Sequence, residues 1–127
     1  DRLIPQVIKF CLQNKRFNCT EGNQKRDFLF IDDFVNLILK ILNKKKISSG
    51  IYNVGFGKAL KVKSVIKLIR KIIKTGEPDF GKIKMRKDEI MNLYPKITKV
   101  KKYFSWKPKT AFSIGIKKTI EYYKYVH

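Results

Sequence analysis

Apolar residues recur along this chain with two different periods. Ile4, Val7, Ile8, Cys11 and Leu12 make a helical stripe, with Pro5 near its first turn, where a missing N–H does no harm. Residues 16–21 read as a short strand ending in a turn at Glu21-Gly22-Asn23. Phe28, Leu29, Phe30 and Ile31 form an apolar run too short for a helix and rich in β-formers, so a strand is expected there. Asp32 and Asp33 follow as capping residues. Behind them Phe34, Val35, Leu37, Ile38, Ile41 and Leu42 recur at helical spacing. A strand over residues 51–54 ends in the turn Gly55-Phe56-Gly57, and Leu60 and Val62 suggest another short strand.

The second half continues in the same style. Ser64 is placed to cap a strongly amphipathic helix carrying Val65, Ile66, Leu68, Ile69, Ile72 and Ile73 and ending before Gly76. Gly76-Glu77-Pro78-Asp79 reads as a turn, and the alternation over residues 82–85 as a strand. A short helix ends at Phe104. Thr110 is placed to cap a last helix whose apolar face is Phe112, Ile116, Ile120 and Tyr123. Short strands with several helices make a mixed α/β chain, and 127 residues suffice for one modest domain.

Composition narrows the class. The hydrophobic fraction of 43% belongs to a folding chain. No apolar run approaches the ~20 residues of a membrane span. The opening ten residues lack the basic-then-apolar order of a signal peptide, so a cytoplasmic location without membrane partners is expected. Cys11 and Cys19 fit no metal or redox spacing; a disulfide between them is one reading, and two buried or reduced thiols the favoured one. The net charge of +20 invites a nucleic-acid reading, yet the lysines are spread through every segment, as on solvated helix backs. Only five arginines occur, Arg2, Arg16, Arg26, Arg70 and Arg86. Arginine is the residue suited to bidentate phosphate recognition.

Several blocks share one order with a known family. Gly22, Gln24, Arg26-Asp27-Phe28, Phe30, Ile31-Asp32-Asp33 and Val35 resemble the G-x-Q-x-RDF block of the extended short-chain dehydrogenase/reductases that act on nucleotide sugars. Arg2-Leu3-Ile4-Pro5 resembles the family's helix start beside the nucleotide. Gly50 to Gly57 resembles its G-x-YN-(V/I)-G-x-G strand and turn, with Asn53 on the substrate side. Arg86 to Glu89 resembles R-P-x-(E/D), with Lys87 in place of proline. Residues 96–100 resemble D-x-(S/T)-K-A with Lys96 in place of Asp. Ser105-Trp106-Lys107-Pro108 resembles L-G-W-x-P, with Ser105 replacing a glycine, which implies a turn either strained or differently shaped, and Trp106 as a core anchor.

The resemblance implies a fold and a role. Residues 1–127 would be a single C-terminal substrate-binding region of a Rossmann-like enzyme, without its N-terminal dinucleotide-binding domain. The parent would be an NAD- or NADP-dependent nucleotide-sugar epimerase, dehydratase or 4-ketoreductase. The start at Asp1, with no Met, fits a fragment. The partners would be a nucleotide-diphosphate sugar and the missing domain, with self-association through apolar faces left bare. The substrate-binding set would be Arg2, Leu3, Pro5, Arg26, Asn53 and Arg86, with Arg26 and Arg86 on the diphosphate. No catalytic residue, metal ligand or bound cofactor is expected in this chain. The family's Tyr-x-x-x-Lys pair would lie elsewhere, since Tyr94 is followed by Thr98 at that spacing and Tyr122 lacks its lysine. Gly55-Phe56-Gly57 lacks the third glycine and the acidic residue of a dinucleotide fingerprint.

Alternatives stay open on the residues alone. The chain can be read as a basic α/β module that binds nucleic acid without sequence preference, or as a structural or interaction remnant without ligand. Arg26 can also pair with Asp27, Asp32 or Asp33, and Arg86 with Asp88 or Glu89, as purely structural contacts.

Overall fold

A computed structural model describes residues 2–126. In chain order the elements are α1 (Leu3–Leu12), β1 (Arg16–Asn18), β2 (Lys25–Arg26), α2 (Ile31–Leu42), β3 (Leu60–Lys61), α3 (Val62–Ile73), β4 (Glu77–Asp79), β5 (Asn92–Leu93), α4 (Thr98–Phe104) and α5 (Phe112–Val126). The mixed α/β class stands. Strand β1 runs parallel to β4, and β2 lies between antiparallel β3 and parallel β5.

Two apolar cores organise these elements. The first gathers Val7, Ile8 and Cys11 of α1, Phe17 of β1, Val62, Val65, Ile66 and Ile69 of α3, and Ile116 and Ile120 of α5. The helical stripes therefore point where their spacing sends them. The second core joins Leu37 of α2 to Ile97, Val100, Phe104 and Trp106. Trp106 is 3% exposed and its Nε1–H donates to the Asp33 carbonyl at 2.9 Å, so it anchors the core. Ser105 adopts φ 47°, ψ 42°, the left-handed conformation a glycine would take without strain.

Several local expectations need correction, for one recurring reason: tertiary partners outweigh local signals. Residues 28–30 form no ladder, and α2 already begins at Ile31. Phe28 packs into the first core, against Phe112, while Leu29 packs into the second, so this segment is a link between cores. The ladder lies one step earlier, at Lys25–Arg26. Residues 51–54 alternate, with Tyr52 and Val54 turned to the second core, but no strand among the described residues pairs with them. Ser64 does not cap α3, which starts two residues sooner. The N–H groups of Val62 and Lys63 donate instead to the carbonyls of Gln24 and Gly22, at 3.0 and 2.9 Å. Asp32 and Asp33 sit inside the first turn of α2, whose N-cap is Phe30. Asp33 is buried, and its carboxylate accepts the backbone N–H of Thr110 at 2.9 Å, so it ties α2 to the approach of α5 instead of capping its own helix. The supposed turn at residues 77–79 is β4. The supposed strand at residues 82–85 is irregular, with the N–H groups of Lys82 and Ile83 both on the Cys19 carbonyl.

Cys11 and Cys19 are free and buried. Burial pushes the Cys11 thiol up to about 11, outweighing the opposing field of Arg70. The Cys19 thiol is also raised, by burial and by the nearby Asp79.

Candidate functional site

The block after Gly22 ends in two side chains that turn different ways. Arg26, on β2, lines a groove of about 490 Å³ with Asp27, Asn53, Val54, Leu93, Tyr94 and Pro95. Tyr94 also borders a neighbouring hollow that contains Lys25 and Lys58. The groove is thus built where β2 meets β5 and the 53–57 segment, beside a hollow lined by two lysines.

Asp27 performs a structural task. Its carboxylate accepts the backbone N–H groups of Phe56, Gly57 and Lys58 at 2.8, 2.7 and 3.2 Å. Three successive N–H groups form a cradle of the kind that holds phosphate, and here the cradle is filled by the protein's own carboxylate. The glycine turn therefore does not fit the pyrophosphate of a dinucleotide. A Cβ on Gly55 would come within 2.7 Å of the Asp27 Oδ1, and Gly57 sits at φ 85°, so both glycines serve this wrap.

Arg26 pairs with none of its sequence neighbours' carboxylates. Its Nη2 meets Glu89 Oε1, and its Nη1 donates to the carbonyls of Lys25 at 2.8 Å and Ile90 at 2.7 Å. Glu89 closes a turn with Arg86, its N–H on the Arg86 carbonyl at 3.2 Å. Arg86 is exposed, and its side chain has no hydrogen-bond or ion-pair partner among the described residues. Arg26 and Asn53 therefore share the groove, and Arg86 opens the turn that Arg26 grips.

Arg2, Leu3 and Pro5 are not among the side chains of that groove. Arg2 is the N-cap of α1 and makes no side-chain cap bond, while Leu3 packs on the first core. The start of α1 lies instead against the Phe28–Phe30 segment, around a small cavity that includes Ile4 and Phe112. That segment leads straight back to Arg26.

Leu93, Tyr94 and Pro95 escaped the sequence reading as groove residues, and so did Glu89 as the partner of Arg26. Glu89 is 63 positions from Arg26, and no local spacing signals such a pairing. One tyrosine does have a lysine four residues on, Tyr103 with Lys107, against the expectation that none would. The pair does not share a helix face, because Ser105 ends α4 between them. The Tyr103 hydroxyl accepts the Ser48 N–H at 2.6 Å, which suits a loop anchor rather than an acid/base.

A larger hollow, about 660 Å³, lies elsewhere, between α2 and the α4–α5 connection. Lys40, Lys101, Lys107 and Lys109 line it, and its one carboxylate, Asp33, is already bonded to Thr110. It contains neither an arginine nor an accessible aromatic platform, since Trp106 is buried. The smaller groove, by contrast, contains Arg26, whose planar guanidinium is the side chain suited to bidentate contacts. Among the described residues no three His, Cys, Asp or Glu side chains gather as metal ligands, and no helix is long and apolar enough to cross a membrane.

Comparison with known proteins places this arrangement in context. Residues 1–119 match the sequence profile of the family described as GDP-mannose 4,6 dehydratase. The CDP-abequose synthase of Salmonella muenchen is 35% identical over 122 residues, covering 94% of this chain and 41% of that protein. The dTDP-D-glucose 4,6-dehydratase of Homo sapiens is 33% identical over 132 residues, covering 98% of this chain and 37% of that protein. Among solved structures, the UDP-glucose 4-epimerase of Thermotoga maritima with UDP-glucose superposes with a TM-score of 0.88 at 24% identity, over 98% of this chain and 40% of that one. MoeE5 in complex with UDP-glucuronic acid and NAD gives 0.89 at 19% identity, over 100% and 42%. The chain thus spans about two fifths of the length of each of these relatives.

Proposed function

The chain belongs to the GDP-mannose 4,6 dehydratase family, as a C-terminal part of an extended short-chain dehydrogenase/reductase, and on that premise we propose that it holds the diphosphate of a nucleotide sugar. The parent reaction would be NAD(P)-dependent epimerisation, dehydration or 4-keto reduction. A dinucleotide-binding domain outside these 127 residues would supply the cofactor and the Tyr/Lys pair; the cofactor, when bound, supplies the hydride chemistry. This chain would contribute position, fixing the sugar by its phosphates.

One observation carries the reading. Arg26 and Asn53 line one groove, and the exposed, unpaired Arg86 opens the turn fastened to Arg26. Two guanidinium groups and a carboxamide are the donors a diphosphate needs. Arg2, Leu3 and Pro5 are proposed to meet the nucleotide end of the ligand from the start of α1, where helix N–H groups point outward.

The test is the affinity of the full-length protein for nucleotide-diphosphate sugars. Each charge-assisted contact contributes roughly 1.5–3 kcal/mol. Arg86→Ala is therefore expected to weaken binding about tenfold to a hundredfold, with Arg86→Lys restoring part of it, because the planar fork is lost. Unchanged dissociation constants would leave Arg86 as a solvated side chain.

The net charge favours a second reading, non-specific binding of nucleic acid. It predicts an affinity that collapses as salt rises and shows no sequence preference. A sequence preference surviving raised salt would promote a nucleic-acid role above the sugar-nucleotide one.

A further inference from the structure

We propose that Glu89 is a positioning residue for the arginine pair: its carboxylate fixes the Arg26 guanidinium at the groove and anchors the turn that presents Arg86. This inference rests on the groove being the diphosphate site.

Arginine carries five N–H donors in a rigid plane. Arg26 spends one on Glu89 and two on the carbonyls of Lys25 and Ile90. Two remain for a ligand, on a guanidinium whose plane is set by three acceptors. Without Glu89 the plane would be held from one edge only, through Nη1. The acceptors come from two distant parts of the chain, 63 and 64 positions from Arg26 in the case of Glu89 and Ile90. The same contacts therefore orient the side chain and dock the segment.

That segment has little else to hold it. Ile90 and Met91 are exposed, and its ladder to β2 is two residues long. The Lys25 N–H on the Met91 carbonyl at 2.7 Å adds one further tie. The Glu89 N–H closes the turn on the Arg86 carbonyl, so anchoring Glu89 fixes where Arg86 leaves the backbone. The Arg26 and Glu89 side chains are 25% and 22% exposed, sheltered enough for their attraction to escape most solvent screening.

Charge and geometry make opposite predictions here. Glu89 is an anion beside a proposed anion site, so its field alone opposes ligand binding, and removing it would strengthen binding. Positioning predicts the reverse order. A glutamine keeps a neutral acceptor for Arg26, while an alanine keeps none.

The experiment is a titration of the chain with inorganic pyrophosphate, at salt high enough to screen the scattered lysines. The readout is the NMR signal of the Arg86 Nε–H and of the backbone amides of residues 86–94. Wild type is expected to show saturable shifts that Arg86→Ala removes. Affinity is expected to fall about threefold in Glu89→Gln and about tenfold in Glu89→Ala, with an unchanged Trp106 emission reporting an intact core. Equal affinity in all three, or tighter binding in both variants, overturns the positioning role while leaving the groove in place. Absence of shifts at Arg86 in wild type overturns the proposed anion site; faster hydrogen exchange at the position-89 amide in Glu89→Ala than in wild type would then show that the tether exists without it, and equal exchange overturns the tether as well.

Discussion

The carboxylate of Asp27 accepts the backbone N–H of Gly57 across 30 positions, at 2.7 Å, and takes the N–H groups of Phe56 and Lys58 as well. One side chain thereby ties the block before α2 to the turn that shapes the groove. Asp27→Ala would strand three donors at once. Hydrogen bonds to a charged group contribute about 1.5–3 kcal/mol, so a loss of at least that size is expected in urea denaturation. Asp27→Asn keeps an acceptor and should lose about half as much. Equal stability of wild type and Asp27→Ala would mean that water satisfies the turn.

The two arginines should separate in the same assay. Arg26 holds a carboxylate and two carbonyls, and Arg86 holds nothing among the described residues. Arg26→Ala is expected to destabilise the chain by about 1.5–3 kcal/mol, while Arg86→Ala stays within about 0.5 kcal/mol. Matching losses would show that Arg86 has a structural partner.

How much of this was legible beforehand depends on the range of the interaction. The stripes of α1, α3 and α5 were readable because a helix repeats its own environment every turn. Trp106 was readable as an anchor because a lone large aromatic near a turn has few other uses. The strands were not, since β2, β3 and β5 are two residues each and exist only through distant partners. Residues 28–30 carry β-forming side chains but serve two cores at once. The groove was half legible: the blocks pointed to Arg26 and Asn53, which line it, whereas Leu93, Tyr94 and Pro95 emerge only with the fold, and Glu89 meets Arg26 only once a 63-residue separation is closed.

Trp106 and Asp33 offer a stability test of the second core. The indole N–H donates to the Asp33 carbonyl, and the Asp33 carboxylate receives the Thr110 N–H. Trp106→Phe removes one hydrogen bond and part of the buried volume, for a loss of about 1–3 kcal/mol. Asp33→Ala opens the approach to α5 and should lose a similar amount. Asp33→Ala leaves the backbone carbonyl that Trp106 uses, so the two losses should add to within about 0.5 kcal/mol. A larger coupling energy in a double-mutant cycle would show that the indole depends on the Asp33 carboxylate.

Alkaline pH should weaken the first core. Cys11 is fully buried and its thiol is raised from 9.0 to about 11. Below pH 9 the thiol is protonated in both states and the contribution is fully present. Between pH 9 and 11 the unfolded chain releases a proton that the folded chain keeps, so stability falls as pH rises. The whole shift corresponds to about 2–3 kcal/mol. Cys11→Ser is the wrong control, because it buries a hydroxyl; Cys11→Ala should flatten the alkaline slope while lowering stability overall. An alkaline slope of the same size in Cys11→Ala would assign it to other groups.

Helix α2 should drive self-association. Ile31, Val35, Ile38 and Leu42 follow one another at helical spacing and are 60%, 45%, 39% and 73% exposed, while Leu37 on the opposite side is buried. An exposed apolar stripe of this length is an association surface in water. The net charge of +20 works against it, since two copies repel. Which effect wins depends on salt: screening shortens the repulsion and leaves burial untouched. Light scattering is therefore expected to report a mass that grows with protein concentration, and grows further as salt is raised. Val35→Glu and Ile38→Glu should return the chain to a monomer without loss of stability, because both positions are solvent-facing. Polyanion binding runs the other way with salt, so the two behaviours cannot be confused. A monomer at every concentration and salt level, with the stripe intact, would mean that apolar exposure on α2 is too small to hold two such cationic chains together.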